Sequence, residues 1–336
     1  MDEAPQDLRG RVLRDLRISV TDRCNFRCRY CMPREAFGED FPYLPRAGIL
    51  SFEEITRLAA VFLRLGVQKL RLTGGEPLLR RDLTELVKML AALPESPDLA
   101  LTTNGSLLAR HATALRAAGL QRLTVSVDSL DPATFAAFTD SRVPLQSVLD
   151  GIAAASSAGF RPIKINMVVK RGVNEDDIPE MLARFGGPDF ILRFIEYMDV
   201  GNTNGWRLDE VVPASEILER AALSGPLAPL SGHYEGEVAQ RYRTSTGGEI
   251  GVISSVTRPF CSSCTRARLS ADGRLYTCLF AEHGFDLRTP LRDGSNDEEL
   301  LARIHRHWAG RDDRYSELRF RAGTVQRKAE MSLLGG

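Results

Sequence analysis

An excess of charge of one sign is missing from this chain, in which 44 basic side chains meet 44 acidic ones over 336 residues. Proteins that bind nucleic acid or anionic lipid across a surface normally carry a basic excess or a basic stripe. Neither partner is therefore expected, and any anionic ligand must be met locally. Long apolar runs are missing too: none approaches the roughly 20 residues of a membrane helix. The opening MDEAPQDLRG lacks the charged stretch and apolar core of a secretion signal. These absences set the expectation of a soluble, cytoplasmic protein. Lysine is scarce, with only Lys69, Lys88, Lys164, Lys170 and Lys328 among the 44 basic residues. A single arginine thus says little, and a lysine in an unusual place says more. Cysteine is absent from the 229 residues between Cys31 and Cys261. What is present is two groups of three: Cys24, Cys28, Cys31 and Cys261, Cys264, Cys278. Two odd-numbered groups in a chain of this size fit metal or cluster binding better than three disulfides.

The length suggests two domains, or one barrel with an extension. Short β-like runs LRISV (16–20), KLRLT (69–73), LALTT (99–103), RLTVSV (122–127), IKINMVV (163–169) and FILRFIE (190–196) alternate with helical patterns near 51–65, 81–92, 106–118, 132–138, 145–158 and 175–185. Ser51 with Glu54 is a capping-box signature, and Gly66 and Gly119 stand where helices would end. Six βα units in a row imply a parallel sheet, either doubly wound or curled into an incomplete barrel. After Met198 the passage becomes turn-rich, and short strands are expected around 240–253 and 266–277, with Gly247-Gly248 as a hairpin signal. The expected division is residues 1–200 and 201–336. GSNDEE (294–299) reads as a surface loop, and Gly335-Gly336, by physics alone, as a free terminus.

Strands buried on both faces read as continuous apolar runs, but these alternate. Leu16, Ile18 and Val20 face one way while Arg17 and Ser19 face the other, because side chains in a strand have period two. Lys69, Arg71, Thr73, Thr102, Thr124, Ser126, Lys164 and Asn166 fall on the same polar face, and Arg193 joins them if the last strand keeps register. No acid appears in that set before Asp128 and Glu196 at the strand ends. Buried cations need anions, so this face predicts a phosphate-bearing ligand. The competing reading is that these charges snorkel outward or pair with acids from the loops.

Cys24-Asn-Phe-Arg-Cys28-Arg-Tyr-Cys31 falls in the loop after the first strand, at the end of an α/β barrel where active sites assemble. Three thiolates are one short of a closed zinc site. They suit a four-iron four-sulfur cluster with one iron left open. For the second trio, a zinc knuckle completed by His283 stays open on spacing alone.

The spacing C-x3-C-x2-C, with Tyr30 before the last cysteine, resembles the signature of radical S-adenosylmethionine enzymes, and Gly74-Gly75-Glu76-Pro77 resembles their GGEP segment. The C-terminal C-x2-C-x13-C, the segments RLTGGEPLLR (71–80), TTNG (102–105), SVDSLD (126–131), KINMVV (164–169) and FIEYMDVG (194–201), and the Gly-Gly end together resemble the GTP 3′,8-cyclase family of molybdenum cofactor biosynthesis. The likeness runs from Arg17 to Gly336. Thr124-Val125 in place of a Val-Asn pair and the connection Pro45-Arg46-Ala47-Gly48 depart from it.

That resemblance implies an α/β fold, an incomplete (βα)6 TIM-like barrel with a small C-terminal α+β unit. It implies two 4Fe-4S clusters, held by Cys24, Cys28 and Cys31 and by Cys261, Cys264 and Cys278. Tyr30, Gly75, Ser126 and Met198 would line the site of S-adenosyl-L-methionine. Arg17, Arg71, Thr102 and Lys164 would bind GTP, with Lys69 added from strand alternation and Arg266 and Arg268 from their place beside Cys264. No side chain is assigned as catalytic, because the radical arises at the first cluster. The second cluster's open iron would bind guanine, and the Gly-Gly tail would reach the active site. An electron donor, a downstream cyclic pyranopterin monophosphate synthase and room for a homodimer complete the implied partners. A peptide or protein maturase with an auxiliary cluster, or a non-catalytic metal scaffold, are the alternatives. The first would not need so many cations, and the second would never cleave S-adenosylmethionine.

Overall fold

Strand and helix alternate from Asp15 onward in the computed structural model, which describes residues 4–234, 236–321 and 327–335. The order is β1 (Asp15–Ser19), α1 (Phe52–Arg64), β2 (Lys69–Thr73), α2 (Leu83–Ala91), β3 (Asp98–Thr103), α3 (Leu108–Ala117), β4 (Arg122–Ser126), α4 (Pro132–Thr139), α5 (Leu145–Ser157), β5 (Ile163–Val169), α6 (Ile178–Phe185) and β6 (Phe190–Glu196). The six expected strands are found within one residue at each end. Ser51 accepts from the backbone of Glu54 while Glu54 accepts from that of Ser51, so the capping box sets the start of α1.

The C-terminal part contributes α7 (Ala214–Ala222), β7 (Ala228–Leu230), β8 (Gln240–Arg243), β9 (Glu249–Ile253), β10 (Arg266–Leu269), β11 (Arg274–Tyr276), β12 (Phe285–Asp286), α8 (Arg288–Arg292), α9 (Asp297–Ala309), α10 (Tyr315–Leu318) and α11 (Met331–Leu334). Its strands do not form a sheet of their own. Among the described residues all strands join one 12-stranded sheet in the order β12-β11-β10-β1-β2-β3-β4-β5-β6-β9-β8-β7. β10 pairs in parallel with β1, and β9 in parallel with β6, so the six-strand run is extended at both sides before the antiparallel hairpins begin.

Two expectations need correcting. Residues 297–299 are not loop: Asn296 accepts from the Glu299 backbone, Glu299 accepts from that of Asn296, and this second capping box starts α9. The polar face also has acids earlier than expected, because β1 and β3 begin one residue sooner, at Asp15 and Asp98.

The apolar face is covered as the alternation requires. Leu16, Ile18, Leu70, Leu72, Leu99, Leu101, Leu123, Val125, Ile163 and Ile165 are buried in one cluster with Leu58 and Phe62 of α1, Leu86 of α2, Leu115 of α3 and Ile152 of α5. Each such side chain contributes roughly 1.5–3 kcal/mol of burial. Among the described residues, no helix is long and apolar enough to cross a membrane.

Candidate active site

The polar face looks onto a single cavity. Arg17 and Arg71, Thr102, Thr124 and Ser126, Asn166, Arg193, and Arg266 and Arg268 line it from β1, β2, β3, β4, β5, β6 and β10. All six cysteines line the same cavity. All six are free thiols.

The first trio sits in the loop that leaves β1. The backbone N–H of Cys31 donates to the carbonyl of Cys28 (2.9 Å), and the N–H of Phe26 points at Cys24 Sγ (3.4 Å). Arg27 staples the loop: Nη1 donates to the carbonyl of Cys24 (2.7 Å), Nε to that of Phe37 (2.8 Å) and Nη2 to the Tyr43 hydroxyl (2.9 Å). Burial and the neighbouring Glu76 push the Cys24 thiol up to about 12. Tyr30 and Ser126 line the cavity, as do Gly75 and Met198. The Tyr30 hydroxyl donates to Asp128 Oδ2 (2.9 Å), whose other oxygen accepts from the N–H of Val168 (2.9 Å). Gly75 lies so close to the loop after β1 that an added Cβ would fall 2.3 Å from the carbonyl oxygen of Arg23. The buried carboxylate of Glu76 accepts from Leu78 N, Thr103 Oγ1 and Asn104 N, and burial pushes it up to about 7. The GGEP carboxylate therefore ties the β2 and β3 loops together.

The second trio comes from the turn Cys261–Ser263, from Cys264 after it, and from Cys278 beyond β11. Arg266 Nη2 approaches Cys264 Sγ at 3.4 Å. Burial alone would raise that thiol, but the guanidinium groups of Arg266 and Arg311 outweigh it and bring Cys264 down to about 6. His283 stays away: its side chain is 86% exposed beside Glu282 and does not line the cavity. Among the described residues, no group of three His, Cys, Asp or Glu side chains is arranged to hold one metal ion. The thiols of a four-iron cluster each bind a different iron and need not converge on one point. Three free thiols per trio facing a cavity fit a cluster with an open iron.

Between the trios lies the cationic lining. Arg71 Nη1 donates to Thr102 Oγ1 (3.0 Å) and Thr124 Oγ1 (3.1 Å) rather than to an acid. The buried Nε atoms of Arg193, Arg266 and Arg268 have no partner among the described residues, nor has Asn166 Oδ1. Burial, with Arg71 nearby, brings Arg193 down to about 10, and burial beside Arg266 does the same to Arg268. Lys164 is brought down to about 6, first by burial and then by Arg193 and Arg71. Neither lysine lines the cavity. Lys69 is compensated instead, by Asp98 (3.3 Å) and Asp15 (3.8 Å), with its ammonium 5.0 Å from the Tyr234 ring centre.

The tail closes one side. Lys328 Nζ donates to the carbonyl and carboxylate of Asp199 (2.6 and 2.7 Å), and Arg319 Nε to the same carboxylate (2.9 Å). Met331 lines the cavity. Gly335 has φ +72°, and an added Cβ would lie 2.3 Å from Thr73 Cγ2 at the end of β2. Gly336, the other half of the expected tail motif, lies outside the described residues. Sequence reasoning missed Arg27, Asp199, Arg311 and Asp313. In a chain where arginine is the common cation, nothing local marks the ones that point inward.

Comparisons with known proteins fit this geometry. Residues 18–185 match the Radical SAM superfamily model, and residues 190–317 match Molybdenum Cofactor Synthesis C. The GTP 3′,8-cyclase of Acidothermus cellulolyticus is 60% identical over 324 residues, covering 95% of this chain and 90% of that protein. That of Xanthomonas campestris pv. campestris is 51% identical over 332 residues, covering 98% and 97%. That of Staphylococcus saprophyticus is 46% identical over 341 residues, covering all of both. With identity at this level along the whole chain and both cysteine trios on one cavity, the chain belongs to the GTP 3′,8-cyclase family of the radical SAM superfamily.

Proposed function

We propose that this chain is an enzyme that converts GTP to (8S)-3′,8-cyclo-7,8-dihydroguanosine 5′-triphosphate with S-adenosylmethionine and a reductant, the first step of molybdenum cofactor biosynthesis. The observation that carries this reading is one cavity lined by six free thiols and by Arg17, Arg71, Arg193, Arg266 and Arg268. Cys24, Cys28 and Cys31 hold one 4Fe-4S cluster, and Cys261, Cys264 and Cys278 a second. Exposure of His283 to solvent supports a second cluster over a zinc knuckle. Held by Cys24, Cys28 and Cys31, a cluster with S-adenosylmethionine would supply the radical chemistry needed at the ribose of GTP.

The protein binds, orients and excludes water. Tyr30, Gly75, Ser126 and Met198 hold S-adenosylmethionine, the hydroxyl of Tyr30 being fixed by Asp128. Arg17, Arg71, Arg266 and Arg268 take the triphosphate, helped by Thr102. Their guanidinium forks suit phosphate oxygens, and the unpartnered Nε atoms at Arg266 and Arg268 leave donors free for it. Lys164 and Lys69, on β5 and β2 behind the cavity lining, add positive charge at longer range, Lys69 through an ammonium already shared with two carboxylates. An incomplete (βα)6 barrel, closed by the residues after 200 as a second α+β unit, accounts for a sheet whose polar face bounds one cavity. An electron donor reduces the enzyme, a cyclic pyranopterin monophosphate synthase consumes the product, and the cytoplasm supplies both substrates.

The test is anaerobic incubation with GTP, S-adenosylmethionine and a strong reductant, followed by chromatography with mass detection. The product is an isomer of GTP, since one hydrogen atom leaves C3′ and one electron and one proton are gained. A separated peak of GTP mass, formed with 5′-deoxyadenosine, is expected. 5′-Deoxyadenosine with GTP fully recovered would point to a different radical enzyme.

A further inference from the structure

The second trio rests on a buried ion network, of which Arg311 and Asp313 line the cavity while Asp7 and Arg11 lie behind it. Asp7 lies in the N-terminal segment ahead of β1, and its carboxylate is fully buried. Its Oδ2 accepts from Arg11 Nε (2.6 Å) and from Arg311 Nη1 (3.2 Å), two guanidinium groups each only 2% exposed. Both arginines then reach cysteine backbone. Arg11 Nη1 donates to the carbonyl of Cys261 (2.7 Å) and to that of Asp313 (2.8 Å). Arg311 Nη1 donates to the carbonyl of Cys264 (2.8 Å), and its Nε to Asp313 Oδ2 (3.2 Å). Asp313 Oδ2 also accepts from Thr277 Oγ1 (2.6 Å), the residue before Cys278. One network of four charged side chains thus holds the backbone of Cys261 and Cys264 and the residue next to Cys278.

Its surroundings hold it still. The indole N–H of Trp308, a fully buried side chain on α9, donates to the carbonyl of Arg11 (3.0 Å), and the Arg311 guanidinium lies 4.5 Å from the Trp308 ring centre. The Leu8 N–H donates to the carbonyl of Arg311 (3.2 Å), and the N–H groups of Arg14 and Asp15 both donate to that of Thr265 (2.9 and 3.2 Å).

A buried ion network is an inefficient source of stability, since apolar side chains of like volume often do as well. What it does supply is direction, because a guanidinium fork held by a carboxylate can aim its remaining N–H groups at fixed points. Cys261 and Cys264 are three residues apart, joined by a 3-10 hydrogen bond from the Cys264 N–H to the Cys261 carbonyl (3.2 Å), so fixing those two carbonyls fixes the turn that carries both sulfurs.

We propose that Asp7 and Arg11, with Arg311 and Asp313, are positioning residues for the second iron–sulfur cluster, so that the N-terminal segment is part of the substrate end of the cavity. This rests on the reading that the second trio holds a cluster. Partners beyond the ligands themselves orient ligands and tune a metal centre.

The experiment uses Asp7→Asn and Arg11→Met in the full chain, reconstituted anaerobically, with the first cluster as internal control. Wild-type protein should carry about eight irons, four per cluster. Each variant should fall to about four, keeping the electron paramagnetic resonance signal that shifts with S-adenosylmethionine and losing the signal that shifts with GTP. Arg11→Lys, which keeps the charge but not the fork, should retain part of the second signal and guards against poor folding of the others. Eight irons and an unchanged GTP-sensitive signal in the variants would overturn the positioning role and leave the two-cluster reading intact. Proportional loss of both clusters would overturn it too, reducing the network to general support of the fold. Four irons in the wild type would remove the two-cluster reading, and this inference with it.

Discussion

Among the arginines, Arg266 and Arg268 show how one residue type takes different tasks by position. Two residues apart on β10, both face the cavity, and Arg266 also reaches Cys264. Arg266→Ala or Arg268→Ala should weaken GTP binding by about 1.5–3 kcal/mol, the range for a lost charged hydrogen bond, with S-adenosylmethionine affinity unchanged in the same calorimetric titrations. Unchanged GTP affinity in both variants would take β10 out of the substrate site. Lys164 gives a pH signature. Its folded value of about 6 lies below its ordinary 10.5, so between those limits the unfolded chain binds the extra proton. Stability of the ligand-free protein should therefore rise with pH through that window, as far as this group is concerned. A triphosphate in the cavity that Lys164 stands behind opposes the shift, so GTP binding near pH 7.5 should take up a proton. Titrations in buffers of different ionisation enthalpy measure it, and zero uptake would place Lys164 away from the phosphates.

At the scale of elements, the loops after β1 and β2 act as one unit. The Gly75 N–H donates to the carbonyl of Thr21 (2.8 Å) and that of Glu76 to the carbonyl of Arg23 (2.8 Å). A Cβ on residue 75 has no room against Arg23. Gly75→Ala should force these loops apart, lowering S-adenosylmethionine affinity at least tenfold while iron at the second trio stays in place. Equilibrium binding of S-adenosylmethionine together with iron analysis decides this, and wild-type affinity would show that the loop can yield. The helices follow simpler rules. α1 and α9 both start at capping boxes, yet only the Ser-x-x-Glu of α1 stood out, because Asn296-x-x-Glu299 sits among turn residues that also suit a loop.

For the whole molecule the issue is division of labour across the cavity. Cys24→Ala should abolish formation of 5′-deoxyadenosine, whereas Cys264→Ala should keep some uncoupled cleavage and lose the cyclised nucleotide. Equal behaviour in the cleavage assay would mean that the trios do not have separate tasks. The tail belongs to the same scale, since Lys328 ties it to Asp199 and Gly335 packs on Thr73, more than 200 residues away in sequence. Deleting Gly335-Gly336 should leave iron content and the unfolding transition as they are and suppress turnover of GTP. Full turnover would return the tail to an ordinary terminus.

The alternation of apolar and polar residues was enough to give the six strands, their helices and the face that carries Arg17, Arg71 and Arg193, because period two and period 3.6 are local properties of the chain. The cysteine spacing likewise picked out two groups of thiols that the fold brings to one cavity. Pairing between distant segments was not legible. That Lys69 is neutralised by Asp15 and Asp98 follows from β1, β2 and β3 lying side by side with Asp15 opposite Lys69 and Lys69 opposite Asp98. That β10 adds to β1, bringing Arg266 and Arg268 level with Asp15 and Arg17, is a register across some 250 residues. The reach of Asp7 and Arg11 to the second trio depends on the same long-range closure. Local pattern decides which way a side chain points on its own element. Only the assembled sheet, where the gain of burying every apolar face at once selects one pairing, decides which other side chain it meets.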